Sequence, residues 1–213
     1  MKLFSPDSKY MRAMSILGDL FVLNLVFLIC CIPVVTVGPA IAALDTAAFR
    51  IIRGKEGRTL AVFFQAFRQN LRRGICLWLT LLLPGAFVAM DIWLFAAFTG
   101  PLRYMEVLFG ILLALVLFTA GYAFPLLSQF DNTVKGTLKN ALFLSLGYLP
   151  RTIVITILNV FPFALLVWNM LLFLECGFIW IFLYFATSAC LNAKLLEKVF
   201  APYWEQNKEE KSL

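Results

Sequence analysis

Polar residues along this chain collect in short clusters, and most of the apolar runs between them are long enough to cross a bilayer. The first run, from about Ala13 to Ile32, is interrupted at Ile32-Pro33-Val34-Val35-Thr36-Val37-Gly38-Pro39. Two prolines this close cannot share an undisturbed helix, because each lacks an amide proton and clashes with the carbonyl four residues back. The pattern predicts one helix ending at Pro33 and another opening at Pro39, with Thr36 or Gly38 near its cap. The second helix, about Pro39–Ile52, is near the lower length limit for a span. It either crosses or forms a re-entrant hairpin with the first. Further apolar runs predict spans at about Gly74–Phe98, Met105–Leu127 and Thr152–Phe173, and a last one from Gly177 to about Leu195.

Two segments follow a different pattern. In residues 57–73, Leu60, Phe63, Phe64, Phe67 and Leu71 keep helical spacing, while Arg58, Gln65, Arg68, Gln69, Arg72 and Arg73 fall mainly opposite. This predicts a basic amphipathic helix lying in the headgroup plane on the inner side. In residues 129–151, Lys135 and Lys139 lie on one side and Leu138, Leu142 and Leu146 on another, ending near Gly147. The expected architecture is all-α: one polytopic transmembrane helical bundle of about six spans. Three hairpins (13–52, 74–127, 152–195) are separated by two cytoplasmic-side amphipathic segments and followed by a charged tail, 196–213.

Composition supports the bilayer. Hydrophobic residues make up 62% of the chain and charged ones 14%, against about half and a quarter in soluble domains. The net charge of +6 does not imply nucleic acid, because the basic residues sit at span ends. With both termini cytoplasmic, the lysines and arginines fall inside except Arg103, as a multi-pass protein of the cell membrane requires. A re-entrant first hairpin gives the same distribution. Trp93, Tyr104, Trp168 and Trp180 fall near outer ends, and Tyr10, Trp78, Tyr148 and Trp204 near inner ones, the belt expected at headgroup level. Ala40-Ile41-Ala42 resembles a signal-peptide cleavage site, but the apolar run before it is too long and contains Asp19 and Asn24.

Histidine is absent, and the five cysteines lie in apolar runs without a CxxC pair. No familiar nucleotide, hydrolase or metal motif occurs, so no catalytic residue, cofactor or metal is expected. The candidates are instead polar groups inside apolar helices: Asp19, Asn24, Asp45 and Asp91, with Asn159, Asn169 and Asn192 beside them. Asp19 and Asp45 each lie about 10 Å in from the inner end of their helices. Two readings stand: ion pairs with Arg12, Arg50 or Arg53 that lock the hairpin, or a proton- or cation-coupled site. Asp91 is either hydrated or paired with Arg103. Thr36 and Gly38 form the turn, where Thr36 is the only side-chain oxygen able to serve broken backbone and Gly38 permits close helix approach. Arg58, Arg68, Arg72 and Arg73 are candidates for docking a partner or anionic lipid.

The stretch Pro33-Val34-Val35-Thr36-Val37-Gly38-Pro39-Ala40-Ile41-Ala42-Ala43-Leu44 resembles the signature of the YesL-like family, a group of uncharacterised integral membrane proteins found mainly in Firmicutes. Phe63-Phe64-Gln65-Ala66-Phe67-Arg68-Gln69-Asn70 and Thr137-Leu138-Lys139-Asn140-Ala141-Leu142 resemble its phenylalanine-rich basic helix and its later inside helix. Members are often encoded near carbohydrate transporters and polysaccharide-degrading enzymes. The resemblance therefore implies an accessory or regulatory, non-enzymatic role in carbohydrate uptake, with a carbohydrate transporter complex as partner. A small stand-alone solute transporter using the intramembrane carboxylates is the alternative.

Overall fold

Pro33 and Pro39 divide the first two helices much as their chemistry requires. A computed structural model describes residues 9–55, 57–96 and 104–210, and side chains within 14–55, 57–95 and 104–204. Helix α1 (Lys9–Cys31) stops just short of Pro33, and a single 3-10 turn (Val34–Thr36) leads into α2 (Val37–Ile52). Pro39 is the third residue of α2. Amides in a helix's first turn have no acceptor within the helix, so a proline there breaks no bond.

Helix α3 (Thr59–Ala96) departs from expectation. The basic segment 57–73 is not a separate helix lying flat; from Thr59 onward it is the first half of one continuous rod. Nothing at Arg73-Gly74 forces a break, since an internal glycine costs only about 1 kcal/mol. Its 38 residues give a length of about 57 Å, nearly twice the roughly 30 Å of a hydrocarbon core. Helix α4 (Met105–Gln129) returns beside it, with Phe95 stacked on Phe109 at 5.5 Å near the far end.

Helix α5 (Val134–Gly147) is the second amphipathic segment, capped by Thr133, whose Oγ1 accepts from Gly136 N at 3.2 Å. Helix α6 (Leu149–Trp168) ends earlier than the expected Phe173, because Asn169 starts a new short helix, α7 (Met170–Glu175), accepting from Leu172 N at 3.1 Å. A three-residue α8 (Gly177–Ile179) runs through a π-helical turn (Trp180–Tyr184) into α9 (Phe185–Glu210). The segment from 196 is therefore no charged tail at its start. Leu196, Val199 and Phe200 are buried, and Trp204 packs with Phe49 and Phe130. Trp180 is likewise buried rather than part of an outer belt, whereas Trp93, Tyr104 and Trp168 are highly exposed.

Six helical stretches are long and apolar enough to cross a membrane, and large apolar side chains cover the outside of the bundle. The chain is an all-α helical membrane protein. Its centre is α2, ten of whose sixteen residues are buried. It packs most extensively on α3, then on α9 and α4, and less on its hairpin partner α1.

Gly38 and Gly74 explain the preference for α3. A Cβ on Gly38 would strike the Gly74 carbonyl and come within 2.6 Å of Trp78 Cβ. One on Gly74 would lie 2.8 Å from Pro39 Cα. The two backbones touch, as small residues allow. At the other end of the hairpin, the Thr59 hydroxyl donates to Asp19 Oδ2 at 2.7 Å. The first hairpin thus lies alongside the first half of α3. This corrects the expected depths: the turn at 34–38 was placed at the outer end of its hairpin and Gly74 at the inner end of the third span, yet the two share one level.

Spin labels on a Thr36→Cys substitution and on native Cys76, with the other cysteines replaced by alanine, should read as neighbours. A separation near the roughly 30 Å thickness of the hydrocarbon core would refute the contact. Gly38→Leu and Gly74→Leu should each lower folded yield in detergent by overpacking, at a cost of about 1–3 kcal/mol, while exposed Gly18→Leu should not.

Candidate functional site

The central helix carries the buried charge. Asp45 is 5% exposed, among Ala42, Ala43, Ala47 and Ala48, and its Oδ2 has no hydrogen-bond partner. Among the described residues it forms no ion pair with Arg50 or Arg53. Helical geometry gives the reason: Arg50 is five residues on, about 140° around the helix. Its own Nε is buried without a partner. Arg53 is committed elsewhere. Its guanidinium lies 4.2 Å over the Trp204 ring and 5.4 Å over Phe49, donates to Gln129 Oε1 at 3.3 Å, and approaches Glu197 at 3.7 Å. Asp45 is thus left as a carboxyl group with one oxygen available to a proton or a cation.

Asp19 is half-buried and sits at the start of α3 through Thr59. The side chain of Arg12, its proposed partner, lies outside the described residues, as does Arg103, the proposed partner of Asp91. Asp91 is half-buried on α3, far along the rod from Asp45. The polar candidates therefore do not form one cluster.

Asn24 has a structural task. It is fully buried, and its Nδ2 donates to the carbonyls of Trp180 (3.0 Å) and Ile181 (2.7 Å), while its Oδ1 accepts from Ala186 N (2.9 Å). These are backbone groups of the π-helical turn and the start of α9. A π turn displaces the regular ladder, and lipid offers no replacement partners. One carboxamide supplies both donor and acceptor.

Thr36 stands at the N-cap of α2, yet its side chain accepts no amide proton. Its hydroxyl instead donates, shared between the carbonyls of Cys30 (2.7 Å) and Pro33 (2.8 Å). It serves the carbonyl end of the break, not the amide end that the sequence suggested.

The basic candidates line the first half of α3. Arg58 has a positive φ of 57°, and with Arg68 and Arg72 is exposed and without an ion pair among the described residues. Arg73 donates to Asp131 Oδ1 at 2.9 Å, tying α3 to the segment before α5. Among the described residues there is no group of three His, Cys, Asp or Glu side chains able to hold a metal.

Some polar contacts were not legible beforehand. Asn192 Nδ2 donates to Asn159 Oδ1 at 2.8 Å across α9 and α6, leaving Asn192 Oδ1 buried and unpartnered. Thr152 Oγ1 lies 2.7 Å from Ser145 O and 3.1 Å from Tyr122 Oη, joining α4, α5 and α6. A lone threonine in an apolar helix gives no signal of that kind. A cavity of about 330 Å³ opens between α4, α5 and α9, lined by aromatic and asparagine side chains.

Residues 20–92 match a family described as proteins of unknown function, DUF624. That stretch contains the Pro33–Leu44 and Phe63–Asn70 motifs. An uncharacterised protein of Bacillus subtilis (strain 168), YteU, is 33% identical over 132 residues, covering 60% of this chain and 58% of the relative. The matched region thus spans less than two thirds of that protein's length. No solved structure matches the chain.

Asn24→Leu should destabilise the folded protein by about 1–3 kcal/mol, because three buried backbone groups lose their partner. Thr36→Val should cost about 1 kcal/mol. Thermal unfolding in detergent gives the comparison, and equal melting of Asn24→Leu and wild type would refute the assignment.

Proposed function

We propose that this protein is a non-enzymatic accessory or regulatory component of bacterial carbohydrate uptake, held in the membrane by its helical bundle and docking through its inner basic face. The observation that carries this reading is the exposed row of Arg58, Arg68 and Arg72 on α3, continued by exposed Lys135 and Lys139 on α5. Cations without internal partners are available to an acidic surface, and such charges steer association and fix its register. The filled centre around α2 suits a rigid platform. The connection to sugars rests on the resemblance to the YesL-like family, and the cytoplasmic placement of both termini on the distribution of basic residues.

A second reading is favoured by one observation, the unpartnered Asp45 Oδ2. Buried acids in membrane helices commonly mark ion or substrate pathways, so a small solute transporter is the alternative.

The two readings separate experimentally. Affinity isolation from native membranes should recover a carbohydrate permease subunit with the wild-type chain, and several-fold less with Arg68→Gln/Arg72→Gln at equal protein level. Sugar uptake by proteoliposomes containing this protein alone, abolished by Asp45→Asn, would overturn the accessory role and establish the transporter.

A further inference from the structure

The cavity between α4, α5 and α9 has mixed walls. Leu126, Phe130, Phe143 and Leu144 make it apolar on one side, and Asn132, Asn140, Tyr148 and Tyr203 supply hydrogen-bonding groups. The side chains of Asn132 and Asn140 make no hydrogen bond among the described residues. Its volume, about 330 Å³, far exceeds the roughly 30 Å³ share of one water.

Charge and exposure say what fits there. Lys139 is exposed on α5, next to Asn140 and one turn before Phe143. The Arg151 guanidinium lies 5.5 Å over the ring of Tyr148, a cavity wall. Two cations thus flank neutral donors able to bind phosphate oxygens. Beside them Phe143 is 64% exposed and Leu146 45%. That apolar rim gains nothing from a small soluble anion, but it would cover an acyl chain.

We propose that this cavity is a binding site for an anionic phospholipid of the inner leaflet. The phosphate meets Lys139, Arg151 and the Asn140 carboxamide, the remaining headgroup reaches Asn132 and Tyr203, and an acyl chain leaves along Phe143 and Leu146. The site is separate from the arginine row of α3 and does not depend on the docking role assigned to it. Bound lipid would brace α5 against the ends of α4 and α9.

Native mass spectrometry of the full chain tests this, with phosphatidylglycerol and phosphatidylcholine of matched acyl chains supplied together in detergent micelles. Phosphatidylglycerol should be retained in preference. Lys139→Gln and Arg151→Gln should each weaken that retention roughly fivefold, while Lys55→Gln, exposed on the α2–α3 link, should leave it unchanged. Helical circular dichroism confirms that the variants fold. Equal retention of the two lipids by the wild-type chain would overturn the site whatever the variants do. Displacement of phosphatidylglycerol by millimolar glycerol phosphate would overturn it too, showing a soluble phosphate ester as the ligand.

Discussion

The bundle depends on two backbones touching at Gly38 and Gly74. Neither position has room for a Cβ, and the contact fixes the first hairpin to the first half of α3. In lipid no hydrophobic force draws helices together, so packing and hydrogen bonds decide association. The alanines of α2 extend that close fit over the length of the helix and allow α3, α4 and α9 to surround it. Everything beyond this centre is looser, and the far parts of α3 and α4 rely mainly on each other, as at Phe95 and Phe109.

Polar side chains inside the bundle divide into those that mend backbone and those that do not. Asn24 serves the π-helical turn and Thr36 the carbonyls before the 3-10 turn, each at a place where the regular ladder is broken. Both residues looked like functional candidates because polarity in an apolar helix is costly. Local breaks in helices account for them. Asp45 has no such task, and its free oxygen keeps it the one acidic candidate whose burial the backbone does not explain.

The inner end of the molecule is where charge, aromatic rings and accessible surface meet. Arg53 is held by Trp204, Phe49, Gln129 and Glu197, a set drawn from three helices. Around that fixed cation, Arg68, Arg72, Lys135 and Lys139 remain exposed. Internal charges hold the inner end together, and the outer ones are left for what lies beyond it.

Apolar run length and proline chemistry determined a great deal here: a helical membrane protein, the break at Pro33, and the capped start of α5 were all written in local sequence. These depend on hydropathy, missing amide protons and side chains within a few residues, which a chain carries wherever it packs. Tertiary structure alone decided which helix α2 would embrace, that residues 57–73 would join the following span, and that residues 196–204 would enter the core. It also decided that Asp45 would find no arginine, because the bearing of Arg50 and the aromatic cage around Arg53 follow from how α2, α4 and α9 assemble. Contacts such as Asn24 with Ala186, or Arg53 with Glu197, join residues far apart along the chain. No local pattern encodes them; only the packed bundle brings them together.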